Sequence, residues 1–175
     1  MLASFVYNNT WFTFLLLIHV TGAIVGLGPS FAFSIIGPAI GKQTSPQASM
    51  ALMEIMEKIE KGMVFPILLT TQLASGILLI FNRGLNNNFF SAHRAWLVAG
   101  IGVYIVAMAI SLGINTPALG KMIKMAKGGQ AQTPEFGKLV KRSQTFGPIL
   151  TLLGLAIMIL MIWKPGGQCG PLIRC

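Results

Sequence analysis

His19 is the residue of this chain whose chemistry is most out of place with its surroundings. It sits in Thr13-Phe14-Leu15-Leu16-Leu17-Ile18-His19-Val20, with no acid or base beside it. An imidazole in an apolar run can ligate a metal, carry a proton or hydrogen-bond a neighbouring helix. Gly22 and Gly26 follow at helical spacing, leaving a bare strip where another helix or a flat cofactor can approach the backbone. Two readings share this pattern. In one, His19 is an axial ligand of haem b or another tetrapyrrole, and Gly22 and Gly26 clear room for the ring. In the other, a neutral His19 bonds a neighbouring helix, in an intramembrane polar cluster with Thr71, Gln72, Ser75, Tyr104 or Thr151, which lie at similar depth. The second reading is preferred. His93, the other histidine, lies at the outer end of span three, too far from His19 in depth to ligate the same haem, and the position matching His19 in the second half, near Val98, carries no ligand. A five-coordinate haem, or a sixth ligand from Tyr104 or Met108, stays open.

The remaining reactive side chains are sparse. No nucleophile, base and orienting group occur together, so no catalytic residue is assigned. There is no phosphate loop, dinucleotide fingerprint or paired-carboxylate site. Glu54, Glu57 and Glu60 read as a solvated face, with Lys58 and Lys61 four residues after the first two; a cation site is the minority reading. Cys169 and Cys175 close the chain around a Gly-Pro turn, either as a small disulfide loop or as free thiols, and they are too few for a metal site.

These residues are carried by four apolar stretches, Trp11–Ile36, Met63–Phe81, Ala95–Ile114 and Phe146–Trp163. Each reaches or approaches the ~20 residues that cross a ~30 Å hydrocarbon layer. In lipid a helix satisfies its own backbone, which predicts an all-α, integral membrane four-helix bundle forming a single transmembrane domain over residues 1–175. The first stretch lacks a basic n-region, since Lys42 is the first basic residue, and is expected to be retained as a span. His19 then lies ~13 Å below one boundary at 1.5 Å per residue. A cytoplasmic helical extension is expected at about residues 49–62, running into span two with a kink at Pro66. Lys124–Lys138 reads as a flexible basic connection, and 164–175 as an external tail.

Of the 13 basic residues, nine (Lys42, Lys58, Lys61, Lys121, Lys124, Lys127, Lys138, Lys141 and Arg142) lie in the first and third connections. Arg83, Arg94, Lys164 and Arg174 lie on the other side. The bias predicts both termini outside, and Trp11, Trp96 and Trp163 then share the outer interface. The net charge of +9 fits anionic headgroups on the cytoplasmic side, and no nucleic-acid module is present.

The halves also resemble each other. Gly37-Pro38-Ala39-Ile40-Gly41-Lys42 ends span one and Thr116-Pro117-Ala118-Leu119-Gly120-Lys121 ends span three; Phe65-Pro66-Ile67-Leu68 and Phe146-Gly147-Pro148-Ile149-Leu150 open spans two and four. This predicts two helix pairs related as a parallel internal repeat, with its axis along the membrane normal.

Ile18-His19-Val20-Thr21-Gly22-Ala23-Ile24-Val25-Gly26 resembles the first helix of the predicted bacterial membrane proteins filed as domain of unknown function 2269. Phe65-Pro66, Ser75-Gly76, Trp96-Leu97 and Leu160-Met161-Ile162-Trp163-Lys164-Pro165 are similar to it in order and spacing, over about Trp11–Pro165. That family is distantly similar to the copper-resistance D proteins and to the haem-b membrane protoporphyrinogen oxidase; His19 matches their early-helix histidine, and no second ligand matches. The resemblance implies a bacterial inner-membrane protein and no particular activity. The leading expectation is a non-catalytic packing or assembly subunit of a larger membrane complex or homo-oligomer. The alternatives are a haem- or tetrapyrrole-binding redox protein using His19, and a small transporter.

Overall fold

The computed structural model describes residues 2–40, 45–82 and 89–165, with the backbone alone for 2–9 and Pro46. The described residues are all-helical, without strands, and four helices are long and apolar enough to cross a membrane: Thr10–Ile40, Gln47–Asn82, Ala92–Lys127 and Pro134–Trp163. The first, α1, runs Leu2–Ile40. The second begins as α2, Pro46–Ile59, and ends as α3, Leu73–Asn82. The third joins α4, Ala95–Ile110, to α5, Thr116–Lys127. The fourth is α6, Pro134–Trp163.

Two of these helices widen locally. Pro66 has no N–H and its ring crowds the carbonyl four residues back. The backbone responds with π-helical turns on either side, Glu60–Val64 and Ile67–Gln72, where an α-helical kink was expected. Pro117 acts in the same way on Ser111–Asn115. There the Thr116 hydroxyl oxygen lies 3.0 Å from the carbonyl of Ser111.

In the bundle α1 packs against the second helix and against α6, and α4 packs against α6. The second and third helices meet through Val64, Phe65, Leu68 and Met108, where the Tyr104 hydroxyl donates to the Leu68 carbonyl at 2.6 Å. Most of the apolar surface faces outward. In α6 Gly154 and Ile157 are buried and the rest of the span is half-buried or exposed, which leaves its outer face to lipid or to a partner helix.

The bundle continues past the apolar spans at its basic end. Met53 of α2 packs with Leu119, Met122 and Ile123 of α5, covered by Ile40, Phe136, Leu139 and Val140. This corrects the reading of 124–138 as a flexible connection. Helix α5 runs on to Lys127, and α6 already starts at Pro134, capped by the Thr133 side chain, which accepts from the Phe136 N–H at 3.3 Å. Helix α2 likewise starts earlier than expected, with the Ser45 side chain as its cap. Glu57 pairs with Lys61 at 2.6 Å as its spacing suggests. Glu54 instead reaches across to Lys127 of α5 at 2.8 Å, and that ammonium holds its carboxyl below the ordinary value.

Candidate functional site

His19 faces the second helix, not lipid. Its Nε2 lies 3.1 Å from the Gln72 amide nitrogen and its Nδ1 lies 3.0 Å from the Ser75 hydroxyl. The Ser75 hydroxyl is in turn 2.6 Å from the Thr71 carbonyl. The network closes with one proton assignment: Gln72 donates to Nε2, Nδ1–H donates to Ser75, and Ser75 donates to the Thr71 carbonyl. Both ring nitrogens of a neutral imidazole are then engaged. Helical spacing explains the meeting. Gln72 and Ser75 are three residues apart, so they share a face of the second helix, and they sit opposite the His19–Gly22–Gly26 stripe of α1.

The glycines of that stripe are filled by the second helix. A Cβ on Gly22 would lie 2.9 Å from Gln72 Oε1, and one on Gly26 would lie 2.6 Å from Leu68 Cδ2. Gly76 does the same for the imidazole, since a Cβ there would fall 3.1 Å from His19 Cε1. The Gln72 side-chain oxygen is buried against Gly22 and has no hydrogen-bond partner among the described residues. Exchanging the amide's ends would only move the orphan to its nitrogen.

The residues expected to form one intramembrane cluster divide into three points. His19, Gln72, Ser75 and the Thr71 backbone form the first. Tyr104 instead bonds the Leu68 carbonyl. Thr151 of α6 is hydrogen-bonded to Ser34 of α1 and lies 3.4 Å from the Ser30 carbonyl. Each point ties two helices together, because a hydroxyl in lipid is satisfied most readily by the neighbouring backbone.

A tetrapyrrole does not fit this arrangement. The space that Gly22 and Gly26 leave on α1 is taken by Ile67, Leu68 and Gln72, and the lone pair an iron would need on His19 accepts from Gln72. Met108, considered as a sixth ligand, packs with Val64, Phe65 and Leu68.

Glu60 departs from the solvated face expected for it. It is 5 % exposed. The Thr116 hydroxyl donates to its Oε1 at 3.1 Å, and the Ser111 and Asn115 side chains also approach it. It borders a partly open cavity of about 70 Å³ lined by all four helices, where Ser30, Tyr104, Ser111 and Asn115 are the other polar lining residues. A signal for this was present in the sequence. Glu54 and Glu57 have a lysine four residues on, whereas Glu60 has Val64, and Met53, Glu60, Val64 and Leu68 continue one buried helical stripe.

Cys169 and Cys175 lie outside the described residues. Among the described residues no group of three or more His, Cys, Asp or Glu is placed to hold a metal ion.

No curated protein and no solved structure matches the chain. A family model described as a predicted integral membrane protein, domain of unknown function 2269, matches residues 13–165. That match, over a chain folded into four helices of spanning length, places this protein in the domain of unknown function 2269 family of integral membrane proteins.

Proposed function

We propose that this chain is a non-catalytic packing or assembly subunit of the bacterial inner membrane, with its basic end in the cytoplasm against anionic headgroups and both termini outside. The observation that carries this reading is the use of His19. Its two ring nitrogens are spent on Gln72 and Ser75, so the most reactive residue of the span serves helix packing. The largely unburied outward faces of the spans supply the surface such a subunit needs, for a larger complex or a second copy. The nine-to-four bias of basic residues supports the orientation. The Pro-Ala-x-Gly-Lys exits after Gly37 and Thr116 support an origin of the two helix pairs by duplication. A second reading, a small transporter, is favoured by one feature, the cavity beside Glu60.

The test is the absorption spectrum of the detergent-purified protein, together with its mass in native lipid particles. The expected result is no Soret band, an assembly larger than one chain, and a His19→Gln variant that keeps the assembly and loses about 1 kcal/mol, within the range of an interhelical hydrogen bond. A Soret band bleached by His19→Gln, or a lone monomer in lipid, would overturn the reading.

A further inference from the structure

Glu60 has a feature that the packing role of the spans leaves unused: it is a buried acid with no cation paired to it among the described residues. On its own helix, Lys61 is committed to Glu57 at 2.6 Å and is itself exposed. Helix α1 carries no charged residue between Leu2 and Ile40. The wall from Ala95 to Gly120 carries none either, and Lys121 beyond it is exposed. On α6 no charge occurs from Thr145 to Trp163, and Arg142 below is exposed. What touches the carboxyl is neutral, the Thr116 hydroxyl with Ser111 and Asn115 close by, and the Lys61 ammonium acts on it only as a weaker, unbonded charge.

A second observation is independent of burial. The two helix interruptions at this level, Glu60–Val64 and Ser111–Asn115, are linked here through side chains, since Glu60 opens the first and is bonded by Thr116, which directly follows the second. Wide turns release backbone carbonyls from regular bonding, and they recur where helices bind ions or substrates. The cavity borders the same group and has room for more than one water molecule.

We propose that the Glu60 carboxyl is an exchangeable site for one small positive charge, a proton or a sodium-sized cation, at the basic end of the bundle. A buried carboxylate is disfavoured without a compensating charge, and neutral donors compensate it only in part. A proton neutralises it directly. A sodium ion would take the carboxylate with hydroxyl and amide oxygens of Ser111, Asn115 and Thr116, the ligand type a hard cation prefers. The proposal stands apart from the assembly role, which needs no exchangeable charge.

Infrared difference spectroscopy on the full-length protein in lipid tests it. One arm steps the pH in potassium buffer. The other exchanges potassium for sodium at fixed pH. The expected result is a carboxyl or carboxylate signal in one arm that is present in the wild type and missing in Glu60→Gln. A proton site gives a carboxylic C=O band that titrates about tenfold in ratio per pH unit. A sodium site gives a shift of the carboxylate bands with sodium alone. Thr116→Ala leaves the carboxyl in place and removes a donor to it, so it must move the midpoint of the same signal, which keeps the test decisive if Glu60→Gln fails to fold. Signals unchanged by either substitution in both arms would overturn the proposal and mark Glu60 as a permanently hydrogen-bonded structural carboxylate.

Discussion

Replacing Gly26 by alanine probes the contact that seats α1 on the second helix. The new methyl carbon would stand 2.6 Å from Leu68 Cδ2 and 2.9 Å from Leu68 Cγ. Carbon atoms pack best at about 3.5–4.0 Å, so the helices or Leu68 must yield by about 1 Å. Leu68 has little freedom to do so. Its side chain belongs to the cluster with Val64, Phe65 and Met108, and its carbonyl is held by Tyr104. Overpacking of this kind costs about 1–3 kcal/mol. The gain in helix propensity on replacing a glycine, up to about 1 kcal/mol, works in the opposite direction. Gly102 provides the control, since it lies mid-way along α4 and a methyl group added there would meet nothing within 4 Å. Its alanine variant carries the propensity gain alone. Reversible denaturant titration in mixed micelles should therefore place Gly26→Ala about 1–3 kcal/mol below Gly102→Ala. If Gly26→Ala were as stable as Gly102→Ala, the close seating of α1 on the second helix would be refuted, and with it the exclusion of a ring from the space beside His19.

A membrane-impermeant thiol reagent applied to intact cells should modify reduced Cys169 or Cys175, and labelling that appears only after the inner membrane is opened would reverse the orientation. Thr133→Ala removes the side-chain cap at the start of α6 and should cost about 1 kcal/mol. It should show as faster hydrogen exchange over the first turns of α6, and unchanged exchange there would mean that the cap contributes nothing.

The site was partly legible from depth alone. Counting residues from the span ends places Gln72 and Ser75 level with His19, and an apolar solvent makes a bond between them the expected outcome. The same counting groups Tyr104 and Thr151 with them, although these two bond other helices. Depth is one coordinate, and residues at one depth can still lie on different sides of a bundle. Glu60 shows a different limit. Its neighbours Glu54 and Glu57 each have a lysine one turn later, and a regular spacing of three carries Glu60 into the same reading by association.

Composition and length are enough to settle the solvent and the class of fold. Long uncharged stretches around residues 11–36, 63–81, 95–114 and 146–163 can satisfy their backbones in lipid only as helices. The positions of the interruptions are also written in the chain, because Pro66 and Pro117 must disturb any helix that contains them. Which faces are buried is a matter of packing. Packing set Gly22 and Gly26 against Gln72 and Leu68, spent both nitrogens of His19 on one neighbour, extended α5 and α6 into a close-packed end around Met53, and drew Glu60 inward to Thr116. Most of this cannot be read along the chain, because the spans are apolar on every side. In lipid the hydrophobic pattern no longer separates a buried face from an exposed one, and small steric fits and single hydrogen bonds make the choice instead.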